Sequence, residues 1–222
     1  MLVLVLDTSS SAVTAGLVEV DPDAGAGLTV RAERVVHNAR GHGEYLAPLI
    51  AECLAEAAAT PADLAAVVAG TGPGPFTGLR VGLVTAAMFA ETLGLPAYGV
   101  CSLDALADLE RHEPALLVAT DARRKEVYWA RYECGVRSAG PAVDRPGDVP
   151  CDGVTGAVGA GIELYPDVLG VPLLPGRFPT VTGLARCAAD RVRTAAPSEP
   201  LTPLYLRRPD AVAPGAPKRV SQ

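Results

Sequence analysis

Two aspartates in this sequence each end a hydrophobic segment, and their side chains could bind the magnesium ion of a nucleotide. Asp7 follows residues 2–6 and precedes Thr8 and Ser9, and Asp121 ends a second segment of the same kind. Carboxylate oxygens bind Mg²⁺ together with the substrate phosphates in many ATPases and kinases. The sequence therefore predicts a candidate nucleotide cleft formed by Asp7, Thr8, Ser9 and Asp121, in which the two aspartates face one another.

A stiff loop rich in glycine and proline connects a β-branched segment to a long apolar one. Within residues 70–78, Pro73 and Pro75 fix φ and remove two N–H donors that a phosphate site would need. No Lys-Ser or Lys-Thr pair follows the glycines, as it does in a P-loop, and Arg80 lies one turn into the next segment. The loop is therefore typical of a structural corner first and of an anion site second, with Thr77 at the helix-capping position.

The elements that position these residues alternate between strands and helices. Apolar patterns and turn signals predict strands at residues 2–6, 12–18, 28–36, 67–69 and 97–100, and helices at residues 41–59, 77–93 and 182–195. Ser102 is expected to cap a further helix, and residues 135–153 predict a loop. The pattern of strand, aspartate and returning strand recurs at residues 116–133. This duplication predicts a two-lobed α/β protein with lobes at residues 1–103 and 104–208 and a flexible tail at 209–222.

Composition and charge limit the class of protein. The 222 residues are 49% hydrophobic and have a formal net charge of −6, and the five scattered cysteines include no Cys-x-x-Cys pair. These features argue against a disulfide framework, a zinc site and unaided binding of a phosphate backbone. No apolar run of about 18 residues is free of glycine, proline or polar interruptions, so we expect a cytoplasmic protein without a membrane span. His42 has no second histidine four residues away, which disfavours a metal site.

The helix predicted at residues 77–93 is apolar around most of its circumference. Gly78, Gly82, Ala86 and Ala90 recur every four residues and form a ridge of small side chains, which would let another helix approach closely. A helix of this kind is buried from more than one side. Either it is the central helix of the chain's own core, or it forms an interface with a partner chain or with a second copy of this chain.

Six short motifs extend over most of the chain. They are L-V-L-D-T at residues 4–8, R-G-H at 40–42, G-P-G-P-F-T-G-L-R-V-G at 72–82, D-A-R at 121–123, E-V-Y-W-A at 126–130 and Y-L-R at 205–207. On these motifs the chain resembles the bacterial TsaB family, also called YeaZ. The resemblance implies a two-lobed fold like that of actin, Hsp70 and the sugar kinases, which duplicate a ribonuclease H-like unit. It also implies a role as the non-catalytic partner of TsaD, the ATP-dependent enzyme that transfers a threonylcarbamoyl group to N6 of an adenosine in tRNA.

The resemblance also implies partners and an interface. TsaD is the expected partner in a heterodimer, the small ATPase TsaE is expected to join the complex, and tRNA is reached only through that complex. No cofactor is implied for the chain alone, while ATP at the partner interface stays open. The two most apolar helices would form a bundle with their counterparts in TsaD. The interface residues that this implies are Leu46, Leu49, Ile50, Cys53, Gly78, Val81, Gly82, Thr85, Ala86 and Met88.

A departure from TsaD argues against catalysis. TsaD binds its metal through two histidines four residues apart, and Ser102 and Leu106 stand at the matching positions here. Asp7 is followed by Thr8, not by the glycine of the usual phosphate turn. The resemblance therefore implies a chain without a metal or an enzymatic activity of its own. An ATPase or small-molecule kinase that uses Asp7 and Asp121 is the alternative, and the missing histidine pair disfavours a metallopeptidase.

Overall fold

The structure, a computed structural model, describes residues 1–23, 27–38 and 41–207. The described residues form two β-sheets, and helices pack on their faces. Arg40 of the R-G-H motif and the tail predicted at residues 209–222 lie outside the described residues.

The first half of the chain forms a five-stranded sheet and three helices. The strands are β1 (Leu2–Asp7), β2 (Ala12–Val20), β3 (Leu28–His37), β4 (Leu64–Gly70) and β5 (Ala97–Val100), and their order in the sheet is β3-β2-β1-β4-β5. The helices are α1 (His42–Glu56), α2 (Phe76–Leu93) and α3 (Ser102–Ala107). β1 pairs antiparallel with β2 and parallel with β4, and the predicted meander of three strands is confirmed.

The second half repeats this arrangement in a four-stranded sheet. The strands are β6 (Ala115–Arg123), β7 (Glu126–Glu133), β8 (Val136–Asp144) and β9 (Gly156–Val158), in the order β8-β7-β6-β9. β6 pairs antiparallel with β7 and parallel with β9, as β1 does with β2 and β4. The helices α4 (Ala160–Leu164), α5 (Pro166–Leu169) and α6 (Val181–Arg193) complete the fold. The repeated strand order confirms the predicted two-lobed, duplicated α/β fold.

Four apolar clusters fill the spaces between these layers. α1 and α2 pack on one face of the first sheet, where Leu46, Ile50 and Leu83 are buried. α6 covers the opposite face of that sheet with Leu184 and Val192. α3 lies on one face of the second sheet, and α4 and α5 lie on the other. Because both faces of β1 and β6 are covered, residues 2–6 and 115–119 form continuous apolar runs instead of alternating.

The packing of α6 changes the predicted division of the chain. α6 follows the second sheet in sequence, yet its apolar face is buried against the first sheet. Residues 196–207 return to the first sheet as well, where the backbone N–H of Leu204 donates a 2.8 Å hydrogen bond to the carbonyl oxygen of Thr71. A boundary between residues 1–103 and 104–208 therefore does not separate the two packing units.

Two predicted helix caps are wrong. α2 begins at Phe76, and Pro75 takes the capping position with an extended backbone (φ −61°, ψ 134°), which leaves Thr77 inside the first turn. α3 begins at Ser102 itself, and Cys101 precedes it as the cap. In neither helix does a side chain hydrogen-bond the free N–H groups, so capping propensity alone placed the helix start incorrectly.

The predicted loop at residues 135–153 contains strand β8, which the sequence did not indicate. Gly140 and Pro141 interrupt its pattern, and both residue types are rare inside strands. β8 lies at the edge of its sheet, where it pairs only with β7 among the described strands. An edge strand tolerates proline because one row of its backbone groups has no ladder partner.

α2 has one further property that differs from expectation. By length and composition it could cross a membrane, although no such segment was predicted. One such helix is weak evidence, because a core helix meets the same criterion. Here Leu83 and Ala86 of α2 pack in the core of the first sheet.

Candidate functional site

Asp7 lies at the centre of a buried hydrogen-bond network. Its Oδ1 accepts hydrogen bonds from the backbone N and the Oγ of Ser9 at 2.9 and 2.7 Å, and its Oδ2 accepts one from Oγ of Ser102 at 2.6 Å. Asp7 is 1% exposed. This burial raises the pKa of the carboxyl group above its ordinary value of 3.8, although the hydrogen bonds from Ser102 and Ser9 act in the opposite direction. The carboxyl group therefore fastens the end of β1 to the start of α3.

Thr8 is likewise occupied by contacts within the chain. Its Oγ1 donates a 2.7 Å hydrogen bond to the carbonyl oxygen of Gly78 and accepts one of 3.1 Å from the backbone N–H of Gly82. A Cβ added to Gly82 would lie 2.3 Å from that oxygen, so the helix can approach only because this residue is glycine. The ridge of small residues on α2 thus packs against the β1–β2 turn of its own sheet.

The cleft between the two sheets does not assemble the predicted nucleotide site. A cavity of about 180 Å³ lies there, lined by Ser9 and Asp121 among others, but Asp7 and Thr8 are not in its wall. Asp121 forms an ion pair with Arg123 at 3.1 Å and accepts a hydrogen bond from the backbone N–H of that residue at 2.7 Å. Pockets that bind small molecules and cofactors typically have volumes of about 300 Å³ or more, so this cavity is small for a nucleotide. The prediction that Asp7 and Asp121 face one another is therefore wrong, because Asp7 is sealed beneath the cleft.

Ser102 and Leu106, the positions that the resemblance matches to the histidines of TsaD, are both buried. Ser102 is 1% exposed, and its Oγ accepts a 3.1 Å hydrogen bond from the backbone N–H of Gly72 in addition to donating to Asp7. Leu106 is fully buried between α3 and the second sheet. Within the described part of the chain, no group of three or more His, Cys, Asp and Glu side chains could hold a metal ion. His42 instead donates from Nε2 to the carbonyl oxygen of Ser10 at 2.8 Å.

Most of the interface residues implied by the resemblance point into the chain's own core. The buried members are Leu46, Leu49, Ile50, Cys53, Gly78, Gly82 and Ala86. Val81 and Thr85 are half-buried, and Met88 is exposed. A side chain packed against the first sheet cannot also contact a partner, so the buried members are removed from the candidate interface. Of the two interpretations of the small-residue ridge, packing within the chain is the one that the structure bears out.

A different ridge of α2 is open to solvent. Phe76, Arg80, Val84 and Met88 recur every four residues and are all exposed, and we call them the docking ridge. The exposed fractions of Phe76, Val84 and Met88 are 45%, 59% and 59%. Exposed apolar side chains on one ridge are typical of a surface that another molecule covers. The signal was present in the sequence at the same spacing as the small ridge, two residues out of phase with it.

α1 extends this surface with small side chains. Ala47, Ala51 and Ala55 are exposed at successive turns, beside the half-buried Tyr45 and Leu54. α1 and α2 are in contact on the same face of the sheet. Small exposed side chains on a helix let another helix approach it closely.

The fold and the site together define a class of protein. It has a duplicated α/β architecture of two sheets, an aspartate centre closed by internal hydrogen bonds, and an open ridge on a helix whose side chains are mostly apolar. A family model described as TsaD: tRNA N6-adenosine threonylcarbamoyltransferase matches residues 33–160, more than half of the chain. The chain belongs to this family, and its similarities place it with the TsaB, or YeaZ, members.

Two named proteins support this placement, and an uncharacterised relative extends the similarity over most of the chain. TsaB of Bacillus subtilis is 33% identical over 134 residues, 60% of this chain and 56% of that protein. The solved structure of YeaZ from Pseudomonas aeruginosa superposes with a TM-score of 0.75 at 26% identity, over 92% of this chain and 99% of that one. An uncharacterised protein of Mycobacterium leprae is 48% identical over 210 residues, 95% of this chain. The match covers 56% of the M. leprae protein and 56% of the B. subtilis protein, and 93% of a 48% identical protein of Mycobacterium tuberculosis.

Proposed function

We propose that this chain acts in the biosynthesis of tRNA threonylcarbamoyladenosine as a non-catalytic subunit that docks on a TsaD-type enzyme. The TsaB relatives of Bacillus subtilis and Escherichia coli are named as tRNA threonylcarbamoyladenosine biosynthesis proteins. The observation on which the proposal depends is the docking ridge of α2, which is apolar and exposed, combined with a carboxylate centre that is engaged within the chain.

The partner is proposed from the family itself. Because this chain matches the TsaD family model, a TsaD protein would share its sheet order and its pair of outer helices. If α1 and α2 of this chain pack against the corresponding helices of TsaD about a pseudo-two-fold axis, the helix faces of both proteins become covered. The same reasoning allows a homodimer when the partner is absent.

The proposed complex includes further partners. TsaE would join it, and tRNA would bind to the complex and not to the acidic chain alone. The assembly would work in the cytoplasm.

The test is a pair of charge substitutions on the docking ridge. Burying an apolar side chain of this size stabilises an interface by about 2 kcal/mol, and an aspartate would lose that and add a desolvation cost. We expect Val84→Asp and Met88→Asp each to weaken binding of the TsaD homologue from the same organism by about thirtyfold or more. Sedimentation velocity of the mixed, separately purified proteins at micromolar concentration measures the loss.

Val136→Asp is the matched control. Val136 lies on β8 of the second sheet and is 70% exposed, so the substitution is chemically identical but distant from α2. It should leave binding unchanged, and thermal melts should show all three variants folded. Failure of the unmodified proteins to associate, or equal weakening by Val136→Asp, would contradict the proposal.

A further inference from the structure

The guanidinium group of Arg80 stands on the docking ridge and is held by two aromatic side chains. Its Cζ lies 3.9 Å from the centroid of the Phe76 ring, which is the geometry of a cation–π contact. Its Nε donates a 3.1 Å hydrogen bond to Oη of Tyr205, whose ring centroid lies 5.0 Å from that of Phe76. The side chain is therefore fixed in position before any partner arrives, which lowers the entropy lost on binding.

Arg80 has no acidic partner within the described part of the chain. Other exposed arginines do, for example Arg34 with Glu52 and Arg186 with Asp108. The single hydrogen bond described for the Arg80 side chain uses Nε, and a guanidinium group has further N–H donors on its two Nη atoms. An ordered arginine with both Nη atoms available can donate two hydrogen bonds to one carboxylate, which forms a bidentate pair.

A groove beside the docking ridge carries different charges at its two ends. It has a volume of about 680 Å³ and lies between α2 and residues 198–205. Arg80 lines it near the start of α2 and Glu91 lines it near the end of the helix, whereas Glu199, which also lines the groove, is ion-paired with Arg191 at 3.5 Å. The two ends of the groove thus carry opposite charges. A partner segment that complements it must place its acidic group at Arg80.

We propose that Arg80 receives a carboxylate of the TsaD-type partner, and that Tyr205, near the other end of the chain, belongs to the docking surface by holding it. The inference rests on the proposed function, since it specifies one contact of that interface. A carboxylate is favoured over an RNA phosphate because apolar Val84 and Met88 adjoin the site and the chain has a net charge of −6. Tyr205 acts through Arg80 and is a positioning residue.

The test is a series of substitutions at Arg80, with affinity for the purified TsaD homologue measured by isothermal titration calorimetry. Losing one partner of a buried charge pair should weaken binding at least about tenfold in Arg80→Gln. Arg80→Glu should weaken it further through repulsion, and Arg80→Lys should weaken it least. Tyr205→Phe should give a smaller loss, which disappears in the Arg80→Gln background because the two side chains then no longer interact.

Arg31→Gln on β3 is the control, because Arg31 is exposed on a different element and should not affect binding. Thermal melts show whether each variant is folded, and Arg80→Lys keeps the test usable if the glutamine variant is not. If Val84→Asp abolishes binding and Arg80→Gln does not weaken it, the inference is overturned and the docking proposal stands. If neither variant affects binding, the docking proposal itself fails. If Arg80→Gln lowers only the affinity of the complex for tRNA, the ligand is a phosphate and the carboxylate is overturned.

Discussion

At the scale of single residues, Asp7 shows how a buried carboxyl group at the end of a strand joins neighbouring elements through hydrogen bonds. A Cβ added to Gly70 would lie 1.8 Å from its Oδ2, so β4 can approach only because it ends in glycine. Ser102 reaches the same oxygen from α3. One buried carboxyl group thereby joins the ends of β1 and β4 to the start of α3, the position at which open α/β sheets usually bind ligands.

The raised pKa of Asp7 makes a prediction for stability as a function of pH. A folded-state pKa above 3.8 means that the folded protein retains this proton to a higher pH than the unfolded chain, so the group's contribution to stability is largest below pH 3.8 and falls as pH rises through the folded-state pKa. Asn does not titrate. We therefore expect the free energy of unfolding of Asp7→Asn, relative to that of the unmodified protein, to increase between about pH 4 and pH 7. Altered hydrogen bonds in the variant add a difference that does not depend on pH and so does not change this slope. Urea unfolding across this range measures it.

Asp63→Asn is the control with the opposite sign. Hydrogen bonds from the backbone and side chain of Thr60 lower the pKa of Asp63, so its contribution is present above pH 3.8 and is lost as pH falls through the folded-state pKa. Its asparagine variant should lose relative stability as pH rises towards about pH 5, so the urea series for this control extends below pH 4. Slopes of the same sign for both variants would contradict this account of Asp7.

At the scale of elements, α2 carries two ridges of different character. Gly78, Gly82 and Ala86 face the β1–β2 turn and the core, and Val84 and Met88 face solvent. The small residues set how closely the helix lies against its sheet, and the exposed residues set what it can bind. Apart from Arg80 both ridges are apolar, which is why the whole helix looks buried when only its composition is considered.

Two glycine-to-alanine substitutions separate close packing from helix propensity. In Gly82→Ala the new methyl group would meet Oγ1 of Thr8 at 2.3 Å, and we expect a loss of about 1 to 3 kcal/mol in the free energy of unfolding. Gly43→Ala on α1 meets no atom within 4 Å and should leave stability unchanged or raise it by up to about 1 kcal/mol. Chemical denaturation compares them, and equal effects would show that the ridge does not require glycine.

At the scale of the whole molecule, the last part of the described chain covers one face of the first sheet. α6 covers the face formed by valines of β1, β2 and β4, and residues 196–207 run from there to the second sheet. At the end of this segment Arg207 donates a 2.7 Å hydrogen bond to the carbonyl oxygen of Ala122 and forms an ion pair with Glu126 at 3.1 Å. The two sheets are thus joined by contacts between residues far apart in sequence.

This organisation predicts that residues 1–103 will not fold alone. Without α6, one face of the first sheet would expose the side chains of Val3, Val5, Val18, Val68 and Tyr98, all fully buried in the complete chain. We expect this fragment to show no cooperative thermal transition by circular dichroism, whereas the full chain shows one. A cooperative transition in the isolated fragment would mean that the predicted boundary is a true folding boundary.

The sequence by itself determined the pattern of strands and helices, the duplication marked by Asp7 and Asp121, and the family, because apolar periodicity and local motifs depend on near neighbours in the chain. It missed β8, whose glycine and proline hide an edge strand. Only the tertiary structure decided which ridge of α2 is open, that Asp7 is closed by Ser102, and that α6 belongs to the first sheet. The physical reason is that a helix apolar on most sides offers two ridges at the same spacing, and the sequence does not say which of them faces the sheet. Burial depends on contacts between residues about a hundred positions apart, such as Ser102 with Asp7.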